Sequence, residues 1–174
     1  MSKKLNIYYD YICPYCYKGW KELCEIIKDY KDVELNWVPC ESHPRPEPAS
    51  IHSDLAAQAA FYLMELGLDI QRYNALVYAA HFDKRQRIDD IELLADLAAE
   101  AGAEKDQVLA VLKNGSFTEK VLAANRLVWG TMGFEAVPSY EWNGKTAGSR
   151  GGILVARDQV RKLFQDADSA YGKY

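Results

Sequence analysis

DYICPYCYKGW, residues 10–20, is the stretch that decides the fold, because a predicted strand leads into it and a predicted helix follows from it. The β-prone residues 5–9 come before it, and apolar side chains recur at helical spacing from Cys13 to about residue 31. The alternating residues 33–38 then predict a second strand. A helical crossover brings two such strands together in parallel, so the sequence predicts an N-terminal βαβ unit.

Cys13 and Cys16 lie one helical turn apart in this stretch, and we interpret them as a redox pair. Cys13 falls at the predicted helix N-terminus, where unpaired N–H groups and the helix dipole favour a thiolate. Pro14 suits the first turn, because the N–H that it lacks would have no partner there. The pattern predicts an exposed, nucleophilic Cys13 and a deeper Cys16 that resolves the mixed disulfide.

Two other interpretations of these thiols stay open. A zinc site needs four ligands, but Cys24 and Cys40 stand apart, and the sequence has no second CxxC and no HxxxH. Two buried core thiols are the second alternative, because free cysteine is among the most buried residue types. We expect no metal site and a core position for Cys24. Cys40 ends the second strand, at the same sheet edge as Cys13, and we expect it to take no part in catalysis.

The middle of the chain predicts a block of helices. Residues 39–50, PCESHPRPEPAS, hold four prolines without periodicity, which is typical of a linker. Alanine and leucine are frequent from Ser53 to about residue 131, with helix starts predicted at Ser53, at Asp89-Asp90 and, by capping-box spacing, at Ser116. The apolar side chains are expected in the core, although four aromatic residues could instead line a substrate cleft: Phe61, Tyr62, Tyr73 and Tyr78.

A β pattern returns after residue 133. Residues 139–142 predict a strand, Asn143-Gly144 is a strong hairpin signal, and residues 145–147 predict the strand that pairs back. Residues 153–164 have the periodicity of a closing amphipathic helix.

The order of these elements predicts an α/β protein of one domain over residues 1–174. Its core would comprise residues 4–40 and 134–165, which supply a βαβ half and a ββα half. Residues 50–131 would form a helical insertion between the two halves.

Composition and charge exclude several partners. The formal net charge of −4 gives no basic footprint, so we expect no binding to nucleic acid or to an anionic membrane. No run of about 18 apolar residues predicts a membrane span, and the N-terminal residues do not have the pattern of a signal peptide. We therefore expect a cytoplasmic protein. In that reducing compartment, four cysteines favour redox or metal chemistry over structural disulfides.

Three segments carry a resemblance to a known family: YYDYICPYCYKG, DDIELLADLAAEAGA and VPSYEWNGK. CPYC after a first strand, Val-Pro before a hairpin and helices between them resemble the DsbA-like branch of the thioredoxin superfamily. The segments look most like its unexported FrnE-type members, whose relatives include 2-hydroxychromene-2-carboxylate isomerase and the kappa-class glutathione transferases. The likeness covers nearly the whole chain.

The resemblance implies a thioredoxin fold with a helical insertion and the activity of a thiol–disulfide oxidoreductase. It implies that Cys13 attacks, that Cys16 resolves, and that Pro138 is a cis-proline facing them. Substrate is then expected to bind at Pro14, Tyr15, Val137 and Pro138. The expected partners are protein or small-molecule thiols and disulfides, with glutathione as a redox partner, no tightly bound cofactor and a second copy in a homodimer.

Two departures from the family pattern concern the site. An acidic residue often stands six positions before the first cysteine, and here that position is Ile7. Proton transfer to Cys16 must then use another group or water; Asp10 could serve, or could simply cap the helix. Ala136 replaces a frequent glycine before Val-Pro, which leaves the conformation of that loop open.

Two other functions stay open. One is a glutathione-dependent transferase or isomerase, although those relatives usually have a serine at the first active-site position. The other is a non-enzymatic module that binds a partner in the cleft between the insertion and the core.

Overall fold

A four-stranded mixed sheet forms the centre of the molecule. The computed structural model describes residues 4–169. The sheet order is β2-β1-β3-β4, with β1 and β2 parallel and the other two neighbouring pairs antiparallel. The strands are β1 (Lys4–Tyr9), β2 (Glu34–Pro39), β3 (Ser139–Trp142) and β4 (Lys145–Gly148).

Helix α1 (Pro14–Ile26) is the crossover between the parallel strands, and a single 3₁₀ turn, Ile27–Asp29, extends it. Helix α7 (Arg157–Ser169) packs against α1, β3 and β4. β1 is a central strand with a paired strand on each side, and its side chains are largely buried, including Leu5 and Ile7.

Five helices lie between β2 and β3 in the chain. Helices α2 and α6 contact β2, and the other helices pack around them. Two of the five end in a π-helical turn: α3 continues through Ala79–Asp83, and α6 continues through Arg126–Thr131. The five helices are α2 (Asp54–Glu65), α3 (Ile70–Tyr78), α4 (Ile91–Glu100), α5 (Lys105–Asn114) and α6 (Thr118–Asn125).

This architecture confirms the predicted fold, an α/β thioredoxin fold with a helical insertion between its βαβ and ββα halves. The helix start at Asp90 is confirmed, because its carboxylate accepts the backbone N–H of Glu92. The domain boundaries at residues 4–40, 50–131 and 134–165 stay predictions.

The capping box predicted at Ser116 is wrong. Helix α6 begins at Thr118 with Phe117 as its cap residue. The backbone N–H and the hydroxyl of Ser116 both donate to the side-chain oxygen of Asn114 instead. The Ser116 hydroxyl is therefore bonded within the turn and does not cap α6.

The predicted closing helix is correct in its body and wrong at its start. Residues 153–156 are not helical, and α7 begins at Arg157. Arg150 and Ile153 exchange two backbone hydrogen bonds, of 2.8 and 3.0 Å, around the Gly151-Gly152 turn. This turn holds Ile153 in an extended bridge, so the apolar periodicity begins before the helix does.

No helix among residues 4–169 is both long enough and apolar enough to cross a membrane.

Candidate active site

The sulfur of Cys13 caps the first turn of α1. Cys13 has extended backbone dihedrals (φ −87°, ψ 118°), and Pro14 occupies the first helical position. The N–H of Cys16 points at the Cys13 sulfur at 3.4 Å, in the way that a serine oxygen usually caps a helix. The sequence therefore places the Cys13 thiol beside backbone N–H groups that have no partner within the helix.

This position lowers the pKa of Cys13 below its ordinary value. The main cause is a hydrogen bond from the side chain of Cys16, and the N–H groups of Cys16 and Tyr15 add to it, while partial burial opposes the shift. The half-buried sulfur also lies 3.6 Å from the carbonyl oxygen of Val137. A thiolate is the nucleophilic form, so Cys13 has the electrostatics of an attacking thiol.

Cys16 has the opposite properties. Its side chain is 1% exposed, and its sulfur accepts the backbone N–H of Asp10 at 3.4 Å. Burial raises its pKa well above the ordinary value, and the hydrogen bond and charge of Cys13 act in the same direction. The pair thus consists of a half-buried thiol with a lowered pKa and a buried thiol with a raised pKa, and no disulfide joins them in this structure.

A proline loop faces the thiols. The Val137–Pro138 peptide bond is cis, as the resemblance implied. The loop is closed by two short hydrogen bonds: the Ser139 hydroxyl donates to Ala136 O at 2.7 Å, and the Ser149 hydroxyl donates to Pro138 O at 2.6 Å. Alanine at position 136 therefore occupies a closed, hydrogen-bonded loop.

A groove of about 630 Å³ opens at Cys13. Pro14, Tyr15 and Val137 line it, while Pro138 is not among its lining residues. Tyr15 is 40% exposed, and its hydroxyl donates to Gly152 O at 3.2 Å across the groove. The remaining wall combines apolar residues with charged groups: Ile12, Trp129, Glu135, Arg150 and the His43–Glu47 pair.

Asp10 does not cap α1, because Cys13 holds that position. Its buried carboxylate instead accepts the N–H groups of Ile12, at 3.2 Å, and Ser42, at 2.7 Å. These bonds join the loop after β1 to the loop after β2. The carboxylate therefore has a positioning role at the base of the site, directly before the two thiols.

The remaining predicted thiols and aromatic residues lie in the core or near it. Cys40 is 1% exposed, at the end of β2, and Cys24 is half-buried. Tyr73 and Tyr78 are fully buried, so they do not line an open cleft. Among residues 4–169, no group of three or more histidine, cysteine or acidic residues is arranged to hold a metal ion.

Sequence reasoning missed how closely the insertion approaches the thiols. Tyr17, directly after Cys16, stacks on Phe82 (5.1 Å between ring centroids) and on Tyr78 (5.2 Å). Trp129 donates its indole N–H to Glu41 O at 2.8 Å. Phe82 and Trp129 both belong to the π-helical turns, and no local pattern shows where such turns will dock.

The comparisons with known proteins agree with this geometry. The family model of the DSBA-like thioredoxin domain matches residues 4–42. The Bacillus subtilis (strain 168) protein YwbO, an uncharacterized protein, is 26% identical to this chain over an alignment of 175 residues. The alignment covers 80% of this chain and 86% of YwbO.

Solved structures show the same fold. The cytosolic disulfide reductase DsbM from Pseudomonas aeruginosa, solved with GSH, is 15% identical with a TM-score of 0.72, covering 95% of this chain and 99% of DsbM. Chlamydia trachomatis DsbA is 17% identical with a TM-score of 0.72, covering 97% and 88% of the two chains. The chain therefore has the DsbA-like thioredoxin fold, with two thiols at the start of its first helix. Its FrnE-type placement stays a prediction.

Proposed function

We propose that the protein is a thiol–disulfide oxidoreductase in which Cys13 is the nucleophile and Cys16 the resolving thiol. The observation that carries this proposal is the asymmetry of the pair. The half-buried Cys13 sulfur accepts a hydrogen bond from the N–H of Cys16 at the mouth of a groove, whereas Cys16 is buried, and burial raises its pKa well above the ordinary value.

In the reducing direction, the Cys13 thiolate attacks one sulfur of a substrate disulfide. The S–S bond breaks, the second substrate sulfur leaves as a thiolate, and a mixed disulfide remains on Cys13. Cys16 then gives up its proton, which ends on the departed thiolate, and attacks the Cys13 sulfur. The first substrate sulfur leaves, and the two electrons come from the dithiol, which becomes the Cys13–Cys16 disulfide.

Substrate binding is proposed at Pro14, Tyr15, Val137 and Pro138. Three of these residues border the groove, and Val137 O lies 3.6 Å from the attacking sulfur. An extended backbone beside this carbonyl would be held next to Cys13, and the apolar wall would accept its side chains. The substrates would be protein or small-molecule disulfides.

The proposed net direction is reduction or isomerisation in the cytoplasm, where reduced dithiols are favoured. Two molecules of glutathione would restore the dithiol and leave as glutathione disulfide, with no tightly bound cofactor. The structural likeness to a cytosolic disulfide reductase solved with GSH supports this part of the proposal. The expected homodimer stays a prediction.

The proposal is tested by equilibrating the protein in glutathione buffers of graded redox ratio, followed by acid quenching, alkylation and mass spectrometry. The parent and a Cys24→Ser control are expected to interconvert reversibly between the dithiol and a 13–16 disulfide, and Cys13→Ser is expected to form none. Thiols that stay reduced at every ratio would refute an exchange activity.

The same variants separate the alternatives. Glutathione-dependent activity that survives in Cys16→Ser would identify a transferase or isomerase. A full biological effect of Cys13→Ser would identify a binding module.

A further inference from the structure

Tyr78 has a buried hydroxyl that forms no hydrogen bond with any residue among 4–169. Its side chain is 0% exposed. The other buried tyrosines around it are bonded: Tyr9 and Tyr11 both donate to Asn74 Oδ1, and Tyr73 donates to Ala56 O. Two other buried polar atoms of the same cluster, Asn74 Nδ2 and Trp20 Nε1, also lack a partner, but Tyr78 is the one of these four tyrosines whose hydroxyl is not bonded. A buried hydroxyl normally has a partner, so this hydroxyl is available as a donor to a neighbouring group that becomes charged.

The ring of Tyr78 packs against residues that lie around Cys16. It lies 5.2 Å from the ring of Tyr17, 5.7 Å from Trp20 and 5.5 Å from Tyr11, measured between ring centroids. Tyr17 follows Cys16 directly in α1. Burial raises the pKa of Tyr78 well above its ordinary value, and the neighbouring charge that raises it most is that of Cys16, ahead of Tyr9, Asp10 and Cys13. Tyr17 and Trp20 come one and four positions after Cys16 in α1, and Tyr11 follows Asp10, whose backbone N–H donates to the Cys16 sulfur. These contacts place Tyr78 on the side of α1 where Cys16 is buried.

Cys16 has few donors for the negative charge that it must carry during resolution. The backbone N–H of Asp10 is one, at 3.4 Å. The position on β1 where an acidic group often stands is Ile7, which is buried and apolar. The carboxylate of Asp10 is held by two backbone N–H groups and adds negative charge rather than a donor.

We propose that the Tyr78 hydroxyl donates a hydrogen bond to the Cys16 sulfur when that sulfur becomes a thiolate, and so accelerates resolution of the mixed disulfide. This inference rests on the proposed function. The Tyr78 proton stays on its oxygen throughout. The proton of Cys16 passes to the thiolate that left in the first step, and the Cys16 sulfur then displaces the substrate from Cys13. A hydrogen bond to an ionised sulfur stabilises only the charged form, so it favours the second step over the first.

A two-step chromogenic disulfide, 5,5′-dithiobis(2-nitrobenzoate), tests this inference in a Cys24→Ser background that removes the half-buried thiol. Release of the first coloured thiol reports the attack by Cys13, and release of the second reports resolution by Cys16. Tyr78→Phe keeps the stacked ring and removes only the hydroxyl. Its second phase is expected to slow by about tenfold or more, with the first phase unchanged within about twofold.

Tyr73→Phe is the matched control, because it removes a buried tyrosine hydroxyl from the same helix that bonds to Ala56 O. Both of its phases are expected to equal those of the background protein. Unfolding of each variant by urea, followed by circular dichroism, is expected to show a cooperative transition, with Tyr78→Phe at least as stable as the background.

A second phase in Tyr78→Phe as fast as in the background would overturn the inference and leave the proposed function intact. Equal slowing in Tyr73→Phe would overturn it too, because the effect would then follow from the loss of any hydroxyl in α3. A background protein that releases no coloured thiol would refute the proposed function itself, and with it the inference.

Discussion

Cys13 differs from the other three cysteines in the direction of its pKa shift. Burial raises the pKa of Cys16, Cys24 and Cys40, whereas hydrogen bonds from Cys16 outweigh burial at Cys13 and lower its pKa. All four residues lie within the part of the chain that the structure describes. The direction of the shift thus depends on whether hydrogen bonds, from the Cys16 side chain first and from backbone N–H groups second, outweigh the burial of the sulfur.

We predict that the alkylation rate of Cys13 rises with pH to a midpoint below 8.5, the ordinary value for a cysteine thiol. The sign follows because the thiolate reacts and a lowered pKa populates it at lower pH. Iodoacetamide labelling over a pH series, with peptide-resolved mass spectrometry, measures this midpoint. Cys24 in the same samples is the internal control, with a midpoint above that of Cys13. A Cys13 midpoint at or above 8.5 would be inconsistent with a helix-capping thiol.

Cys40 shares the sheet edge with Cys13, but it is buried directly after β2, and its N–H donates to Tyr9 O at 2.8 Å. We predict that Cys40→Ser turns over a small disulfide at the rate of the parent, per folded molecule. Turnover is measured alongside a urea titration, which reports the cost of burying the serine hydroxyl. A large loss of turnover with an intact unfolding transition would assign Cys40 a part in the cycle.

At the scale of elements, α1 and the proline loop form a close contact through Gly19. A Cβ added at Gly19 would lie 2.8 Å from Pro138 Cγ, closer than two such atoms can pack. Glycine inside a helix costs roughly 0.5–1 kcal/mol relative to alanine, whereas overpacking a rigid contact costs roughly 1–3 kcal/mol. The absence of a side chain at position 19 is therefore explained by this packing.

We predict that Gly19→Ala lowers the free energy of unfolding by about 1 kcal/mol and slows disulfide exchange. Pro138 must shift to admit the added Cβ, and it is bonded to Val137, whose carbonyl oxygen lies 3.6 Å from the Cys13 sulfur. Gly130→Ala is the matched control, since a Cβ there meets no atom within 4 Å, and its stability should be unchanged or slightly higher. Chemical denaturation and turnover report both effects. A Gly19→Ala variant with parental stability and turnover would contradict this prediction, because the proline loop would then accommodate the added Cβ without loss of stability or activity.

At the scale of the whole molecule, hydrogen bonds among Glu41, Asn125 and Trp129 join the helical insertion to the core, and we call this group the polar junction. Asn125 accepts the backbone N–H of Glu41 at 2.8 Å and donates to its carboxylate at 2.9 Å. Trp129 donates to the carbonyl of the same glutamate. Burial is the main cause that raises the pKa of Glu41, and Asp54 and Asp10 add to it, while the bond from Asn125 opposes it.

This junction gives stability a pH dependence with a defined sign. The folded pKa of Glu41 lies above its unfolded value, so the folded state binds more protons between the two, and stability falls as pH rises through that window. We predict that Glu41→Gln, which keeps an acceptor for Asn125, removes this fall and is more stable than the parent at pH 7. Urea midpoints from pH 4 to 8 measure it, with Glu104→Gln as the control, because Glu104 is exposed and its side chain makes no capping hydrogen bond. A parent and a Glu41→Gln variant with parallel pH profiles would contradict the shift.

Much of this molecule is predictable because its signals are local. The strand before Cys13, the helix after it and the Asn143-Gly144 hairpin each follow from residues within one element. Two local predictions were wrong because a different local hydrogen bond forms in each segment. Ser116 bonds to Asn114 and does not cap α6, and the backbone bonds around the Gly151-Gly152 turn keep residues 150–153 outside α7.

The parts that sequence reasoning could not place depend on contacts between distant segments. Tyr17 and Phe82 stack across 65 positions of the chain, and Glu41 and Asn125 bond across 84. The periodicity of apolar residues in the sequence predicts that such residues are buried, but it does not predict which residue each one contacts. For that reason the position of Cys13 and Cys16 at the start of α1 was predictable, whereas the polar groups around Cys16 were not.

The most direct test of the account is the trapping of mixed disulfides by single-cysteine variants. Cys16→Ser and Cys13→Ser are each incubated with a disulfide-bonded peptide and then analysed by non-reducing mass spectrometry. The account predicts that Cys16→Ser accumulates a mixed disulfide on Cys13, because the attacking thiolate remains and the resolving thiol is gone. Cys13→Ser should accumulate none, because Cys16 is buried and protonated. Equal trapping by both variants, or trapping on Cys16 alone, would contradict the assignment of Cys13 as the nucleophile.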